Sequence, residues 1–332
     1  ALAGNSPFQV VWLSDEERDA QLEIVRELAE ARGWSGRGPI VFEGNAPADI
    51  RENTLLSATL RGEAASDPIA PRFWIGSPNS IKGPTEIVFQ RQTGSHLLIV
   101  GQRDEAIQSM LFLALVALHA QLPPPGARFF LLDASGEALS YAGMFQQALG
   151  GPATELRMVD NRNLAETMRE LGAELQARTE GSADADVSPI FVFIHGVQKF
   201  RKLRREDDFS FSSGAETELS PADQLAALLS EGSAYGIHVV LTFDTFNNVS
   251  RFLNRKALAE VEMRVAFQMS ASDSASLIDS PEAGNLGLHR ALFYNEQMGT
   301  VETFRPYAPP DFAWREEVRQ HFAPGPDVAA KG

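Results

Sequence analysis

Cysteine is absent from the 332 residues. That removes disulfides, zinc–thiolate centres and thiol nucleophiles together, and suits a reducing compartment. Basic charge is scarce: 29 Lys and Arg stand against 44 Asp and Glu, a formal net charge of −15. The whole-molecule field therefore repels nucleic acid and anionic lipid, and any contact with DNA needs a local basic patch. The 6 histidines are scattered, with no HExxH or other ligand spacing, so no metal centre is expected. Long apolar runs are missing too. The longest, MLFLALVAL from Met110 to Leu118, is too short to cross a bilayer, and no membrane insertion is expected of this chain. The start, ALAGNSPFQVVWL, has neither an initiating Met nor a basic leader, and reads as part of a longer polypeptide. The expected setting is cytoplasmic, with any membrane association supplied by the rest of that polypeptide.

What is present is an alternation. Hydrophobic residues make up 44% of the chain, enough for a substantial core. Short continuous apolar runs recur as HLLIVG, RFFLLDA, TELRMVD, PIFVFIHG, GIHVVLTFD and EMRVAFQM, with helical segments between them. Runs of this kind are strands buried on both faces, and their alternation with helices predicts an α/β fold with a mainly parallel central sheet flanked by helices. Two further extended pieces, RFWIG and TEIVFQRQ, lead into this block. ALFYNEQMGTVETFRPY predicts a hairpin on the sheet edge, followed by a helix after Pro309 and Pro310. At the other end Ser14 and Glu17 form a capping box for a helix running to about Ala31, with Leu22, Ile24, Val25 and Leu28 on its inner side. The expected organisation is a helix and linker over residues 1–80, the main domain over 81–309, and a helix and tail over 310–332.

The stretch HLLIVGQRDEAIQSMLFLALVALHAQ, from His96 to Gln121, is a strand, a glycine-led turn and a long apolar helix, which is how a phosphate-binding loop is built. A working loop reads GxxxxGK(S/T): glycines let backbone N–H groups close on the phosphates, the lysine bridges two of them, and the hydroxyl holds magnesium. In the frame starting at Gly101, the intervening residues are Gln102, Arg103, Asp104 and Glu105. Ala106 stands for the second glycine, Ile107 for the lysine and Gln108 for the hydroxyl residue. The frame thus lacks a cation at the lysine position and carries two anions. A like charge at about 4 Å costs roughly 4 kcal/mol at an effective dielectric of 20. The strand that should end in Asp-Glu, to hold magnesium and polarise water, ends in His195 and Gly196. The next strand, where a polar sensor is expected, ends in Phe243 and Asp244. Each charge-assisted hydrogen bond to a phosphate or its metal is worth about 1.5–3 kcal/mol, so these changes remove most of the binding energy. Restoring the signature through Ala106→Gly, Ile107→Lys, Gln108→Ser, His195→Asp and Gly196→Glu is expected to recover nucleotide affinity.

The order of these segments resembles the FtsK/SpoIIIE ATPases, including the multi-ATPase EccC and EssC proteins of type VII secretion, over about residues 81–309. Besides the unit at His96, FFLLDASGEALSYA is similar to a strand and turn of that family, with Asp133 kept and Ala134 and Ser135 replacing its neighbours. SEGSAYGIHVVLTFD resembles the sensor strand, and RVAFQMSASDSASLID, with Arg264, Phe267 and Asp279, a later strand and Ser-rich turn. The resemblance implies a RecA-like P-loop NTPase fold and partnership with neighbouring ATPase domains of the same or other subunits. At the level of the assembly it implies a secreted-protein peptide tail or DNA as substrate. Together with the altered positions it predicts a degenerate module, with no catalytic residue assigned and no cofactor, ATP and magnesium entering only if the altered site still works. The alternatives are an active DNA or protein translocase using non-standard residues, and a peptide-binding module whose cleft is lined near Ile107 and Phe243. His195 without a nucleophile reads as a strand-end histidine. Arg201, Lys202, Arg204 and Arg205 offer a partner-binding loop, set against the acidic residues that follow. The polar stretch 201–220 is expected to be mobile and the first site of proteolysis.

Overall fold

The computed structural model describes residues 9–34, 45–64, 67–122, 126–134, 156–181, 188–204 and 219–322. By internal contacts the chain divides into two units, residues 1–44 and 45–332. The first contains helix α1 (Asp15–Ala31), which starts at the predicted capping box: the Ser14 hydroxyl accepts the Glu17 N–H, and the Glu17 carboxylate accepts from the Ser14 backbone. Leu22, Ile24, Val25 and Leu28 are exposed there, against the expectation of an inner face. Among the described residues this unit has no second element for an apolar stripe to close upon.

The second unit is built on a ten-stranded sheet. Its strands are β1 (Arg72–Pro78), β2 (Thr85–Val88), β3 (Leu97–Val100), β4 (Arg128–Asp133), β5 (Leu156–Val159), β6 (Ile190–His195), β7 (Ile237–Phe243), β8 (Met263–Ala266), β9 (Ala291–Asn295) and β10 (Thr300–Pro306). They lie in the order β2-β1-β10-β9-β8-β3-β7-β6-β4-β5. From β8 to β5 all pairings are parallel; from β8 back to β2 they are antiparallel. The six apolar runs thus supply the parallel half. The β9–β10 hairpin forms as predicted but not at the edge, because RFWIG and TEIVF add β1 and β2 beyond it.

Every residue of β3 is buried. Leu97 and Ile99 point into one layer of the core while Leu98 and Val100 point into the other, the period of two expected of a strand covered on both faces. The first layer is filled by α3 (Asp104–Gln121), about five turns long, with Leu111, Leu115 and Leu118 at 4%, 0% and 0% exposure. Helices α2 (Thr54–Leu60) and, later in the chain, α9 (Phe312–Phe322) belong to that same layer. Phe112 meets the edge of Trp314 at 6.3 Å between ring centroids, and His119 meets Phe322 at 4.8 Å. The Gln121 amide exchanges two hydrogen bonds with the Arg72 backbone, tying the end of α3 to β1.

The second layer is supplied by α4 (Leu164–Thr179) through Leu164, Met168 and Leu171, and by α5 (Pro221–Glu231) through Leu225, Leu228 and Leu229. Short helices α6 (Phe246–Phe252), α7 (Arg255–Ala259) and α8 (Ala271–Ile278) follow β7 and β8. Arg201–Leu203 forms a 3-10 turn with Leu203 buried, so the predicted mobile stretch is anchored at its start. Arg205 and residues 206–218 of that stretch lie outside the described residues, as does Ser135.

Candidate functional site

The C-terminal ends of the parallel strands bring the predicted site positions to one end of the sheet. Three residues, Gly101, Gln102 and Arg103, separate β3 from α3. Gly101 has φ 154°, and a Cβ there would lie 2.4 Å from the Cβ of Phe267, so only glycine fits. Its N–H donates to the Phe243 carbonyl at 2.9 Å, and the Phe267 N–H donates to the Val100 carbonyl at 2.9 Å. The turn is thereby committed to its neighbours in the sheet.

Helix α3 then begins at Asp104, so the frame residues Ala106, Ile107 and Gln108 are helical rather than part of a loop. The Ile107 N–H donates to the Arg103 carbonyl at 2.9 Å. The Ile107 side chain, at 2% exposure, belongs to the core on the α3 side of the sheet. Asp104 and Glu105 occupy the first turn, are exposed, and make no ion pair among the described residues. A carboxylate in that position gains about 0.3–1 kcal/mol from the helix dipole. The helix supplies from its own sequence the negative charge its N-terminus favours.

Two strands further along, β6 ends in His195, 8% exposed, and Gly196. The Thr242 hydroxyl of β7 accepts the Gly196 N–H at 2.8 Å and lies 3.3 Å from His195 Nδ1. Burial lowers the His195 pKa; Asp133 and Asp104 oppose that shift, and Lys199 reinforces it. The ring is therefore a neutral strand-end histidine held by a threonine. Gly196 has φ 66°, ψ 62°, in the left-handed region, and a Cβ there would sit 3.2 Å from the Lys199 side chain. Asp244 accepts from Asn248 Nδ2 at 2.7 Å and from the Thr245 hydroxyl at 3.3 Å, which engages it with the first turn of α6. Asp133 is level with His195 on the adjacent β4. Among the described residues no group of three or more His, Asp or Glu is placed to hold a metal ion. Arg201, Lys202 and Arg204 are exposed on the 3-10 turn after β6.

The restoration expected to recover affinity meets two obstacles here. Lys at 107 would enter the core, and Glu at 196 would adopt a left-handed conformation costing about 1–2 kcal/mol.

A cleft of about 410 Å³ opens beside the start of α3. Gln102, Arg103, Asp104, Glu105 and Ala106 form one side. Its other walls are Phe267, the Leu288–His289 pair, residues 306–309 including Tyr307, and Pro47. That size suits a small ligand or a side chain. The expected lining by Ile107 and Phe243 is not observed: they are 2% and 1% exposed and face the core. Sequence reasoning missed the residues from 47, 288–289 and 306–309, which come from segments remote along the chain and carry no motif.

No protein-family model matches the sequence, and no curated protein does. Solved structures do resemble the fold. Thermomonospora curvata EccC (ATPases 2 and 3), in complex with a signal sequence peptide, superposes with a TM-score of 0.56 at 14% identity, covering 90% of this chain and 50% of that one. EssC (ATPases 2 and 3) from Geobacillus thermodenitrificans gives 0.54 at 14% identity, covering 86% and 51%. The cytoplasmic domain of the Thermomonospora curvata type VII secretion ATPase EccC gives 0.56 at 16% identity, covering 88% and 36%. The chain therefore spans about half the length of the first two and less of the third. It has the fold of EccC and EssC ATPase domains, the P-loop NTPase fold that the FtsK/SpoIIIE resemblance implied.

Proposed function

We propose that the chain is a degenerate, non-hydrolysing ATPase-fold module of a multi-ATPase translocase of the type VII secretion kind, acting through contacts with neighbouring ATPase domains. The observation that carries this reading is the start of α3 at Asp104. With the helix beginning there, Ile107 fills core space, the backbone at 106–108 is helical, and two carboxylates stand where phosphates would have to approach. His195 and Gly196 replace the acids that would manage magnesium and water. The module then needs neither ATP nor magnesium, and the substrate of the whole assembly, protein or DNA, is moved by other domains.

Calorimetric titration of the 332-residue chain with magnesium-ATP tests the reading. The expected result is binding weaker than about 1 mM, less than roughly 4 kcal/mol. Micromolar binding lost on changing Gln102 or Arg103 would overturn it in favour of an active translocase with a non-standard site.

A second role, recognition of a secreted-protein tail, has its own support. A small hollow among α5, α6 and α7, where Leu225 and Phe252 stand beside Ser230, Asn254, Lys256 and Glu260, offers a contact surface of mixed polarity, and a solved EccC of this fold carries a signal sequence peptide.

A further inference from the structure

The second unit distributes its cations unevenly. Arg201, Lys202 and Arg204 follow β6, and Arg251, Arg255 and Lys256 lie on α6 and α7; all are exposed, and none makes an ion pair among the described residues. Arginines elsewhere in the unit are held by carboxylates, as Arg72 is by Glu86, Arg157 by Glu170 and Arg264 by Glu296. The fold brings the two basic segments together across α5 and β7. Leu203 of the first and Asn254 and Lys256 of the second line the same small hollow, and α6 packs on the turn Val197–Lys199 that precedes the first. Glu260 is the one carboxylate on the wall of that hollow, beside the Ser230 hydroxyl and the Asn254 amide. The chain nevertheless has a net charge of −15 with these cations included, so the basic surface stands in an acidic surround.

We propose that this basic surface binds an acidic segment of a partner protein. It extends the reading above by giving the chemistry of one contact, and it does not require an empty β3–α3 turn. Charge complementarity selects the occupant: arginine predominates in both segments, and guanidinium groups meet carboxylates through paired, charge-assisted N–H···O bonds. Extent selects protein over nucleic acid. A duplex carries one charge per about 1.7 Å and continues past the cations into the field of the acidic remainder, whereas a short acidic segment ends where the cations end.

Fluorescence anisotropy of a fluorescein-labelled oligoglutamate with the 332-residue chain tests this. An oligoglutamine of equal length and a DNA duplex of about 30 base pairs, roughly 100 Å long, are the comparisons. The glutamate peptide is expected to bind at least tenfold more tightly than either. Arg201→Gln with Lys202→Gln, and separately Arg251→Gln with Arg255→Gln, are each expected to weaken it at least fivefold. Arg61→Gln with Arg319→Gln removes the same charge from the α3 side of the sheet, where these arginines pair with Glu63 and Glu316, and is expected to leave the affinity within about twofold. All of these positions are exposed, and unchanged thermal midpoints confirm folding of the variants. Absent or equal binding of the two peptides, as neutralisation by the acidic residues after Arg205 would give, would overturn the proposal, as would tighter binding of the duplex or equal weakening by the control pair. Tight magnesium-ATP binding would instead overturn the non-hydrolysing reading and leave this one standing, so the two failures are separable.

Discussion

Ile107 and Gly101 show how individual positions determine what the β3–α3 turn can do. Ile107→Lys, the change that a phosphate-binding motif calls for, is expected to destabilise the protein by about 3 kcal/mol or more, because it places an uncompensated charge in the core. Urea unfolding measures this, and an unchanged midpoint would mean the side chain escapes to solvent. Gly101→Ala is expected to cost about 1–3 kcal/mol, since the new Cβ overlaps Phe267. The same measurement on Gly299→Ala, a left-handed position of the same unit where a Cβ meets nothing within 4 Å, gives the cost of positive φ without a clash. The sequence names the residues of the β3–α3 turn but not the direction in which each side chain points. That residue 107 faces the core follows from the phase of α3, which is fixed only once the helix start is known.

At the scale of elements, the strands were the most legible part. Apolar runs such as IFVFIH can be satisfied only in the middle of a covered sheet, and β6 is buried throughout. The β9–β10 hairpin was legible as a hairpin but not in its place, because being an edge depends on which other strands pair beyond it. The start of α3 is explained by its first residues: Asp104 and Glu105 suit an N-terminal turn, and no glycine follows to keep the loop open. This helix is the central element of its layer. Leu115→Ala, at a fully buried position, is expected to cost about 2–5 kcal/mol. A loss below about 1 kcal/mol in chemical denaturation would show that α3 is less tightly held than its burial indicates.

The molecule as a whole should be acid-sensitive despite its excess of carboxylates. Burial holds His96 near pKa 3, with the neighbouring His238 adding to the shift, and burial likewise holds His238 and His119 near 4. These values lie below the ordinary 6.5, so the unfolded chain binds more protons than the folded one between about pH 6.5 and 4. Above pH 6.5 these groups leave stability unchanged. As pH falls through that window, each costs up to about 1.4 kcal/mol per pH unit. Urea midpoints are expected to fall steeply from about pH 6.5 to about 4.5; a flat profile would mean that the rings are protonated in the fold or reach water.

The buried isoleucine at 107 also bears on reversibility. For a chain with this helix start, no single substitution leads to a phosphate-gripping lysine: the first step removes core packing and gains nothing until the opening turn of α3 has also unwound into a loop. A chain with lysine at 107 and the present helix start would be less stable than this one, so packing itself opposes that step.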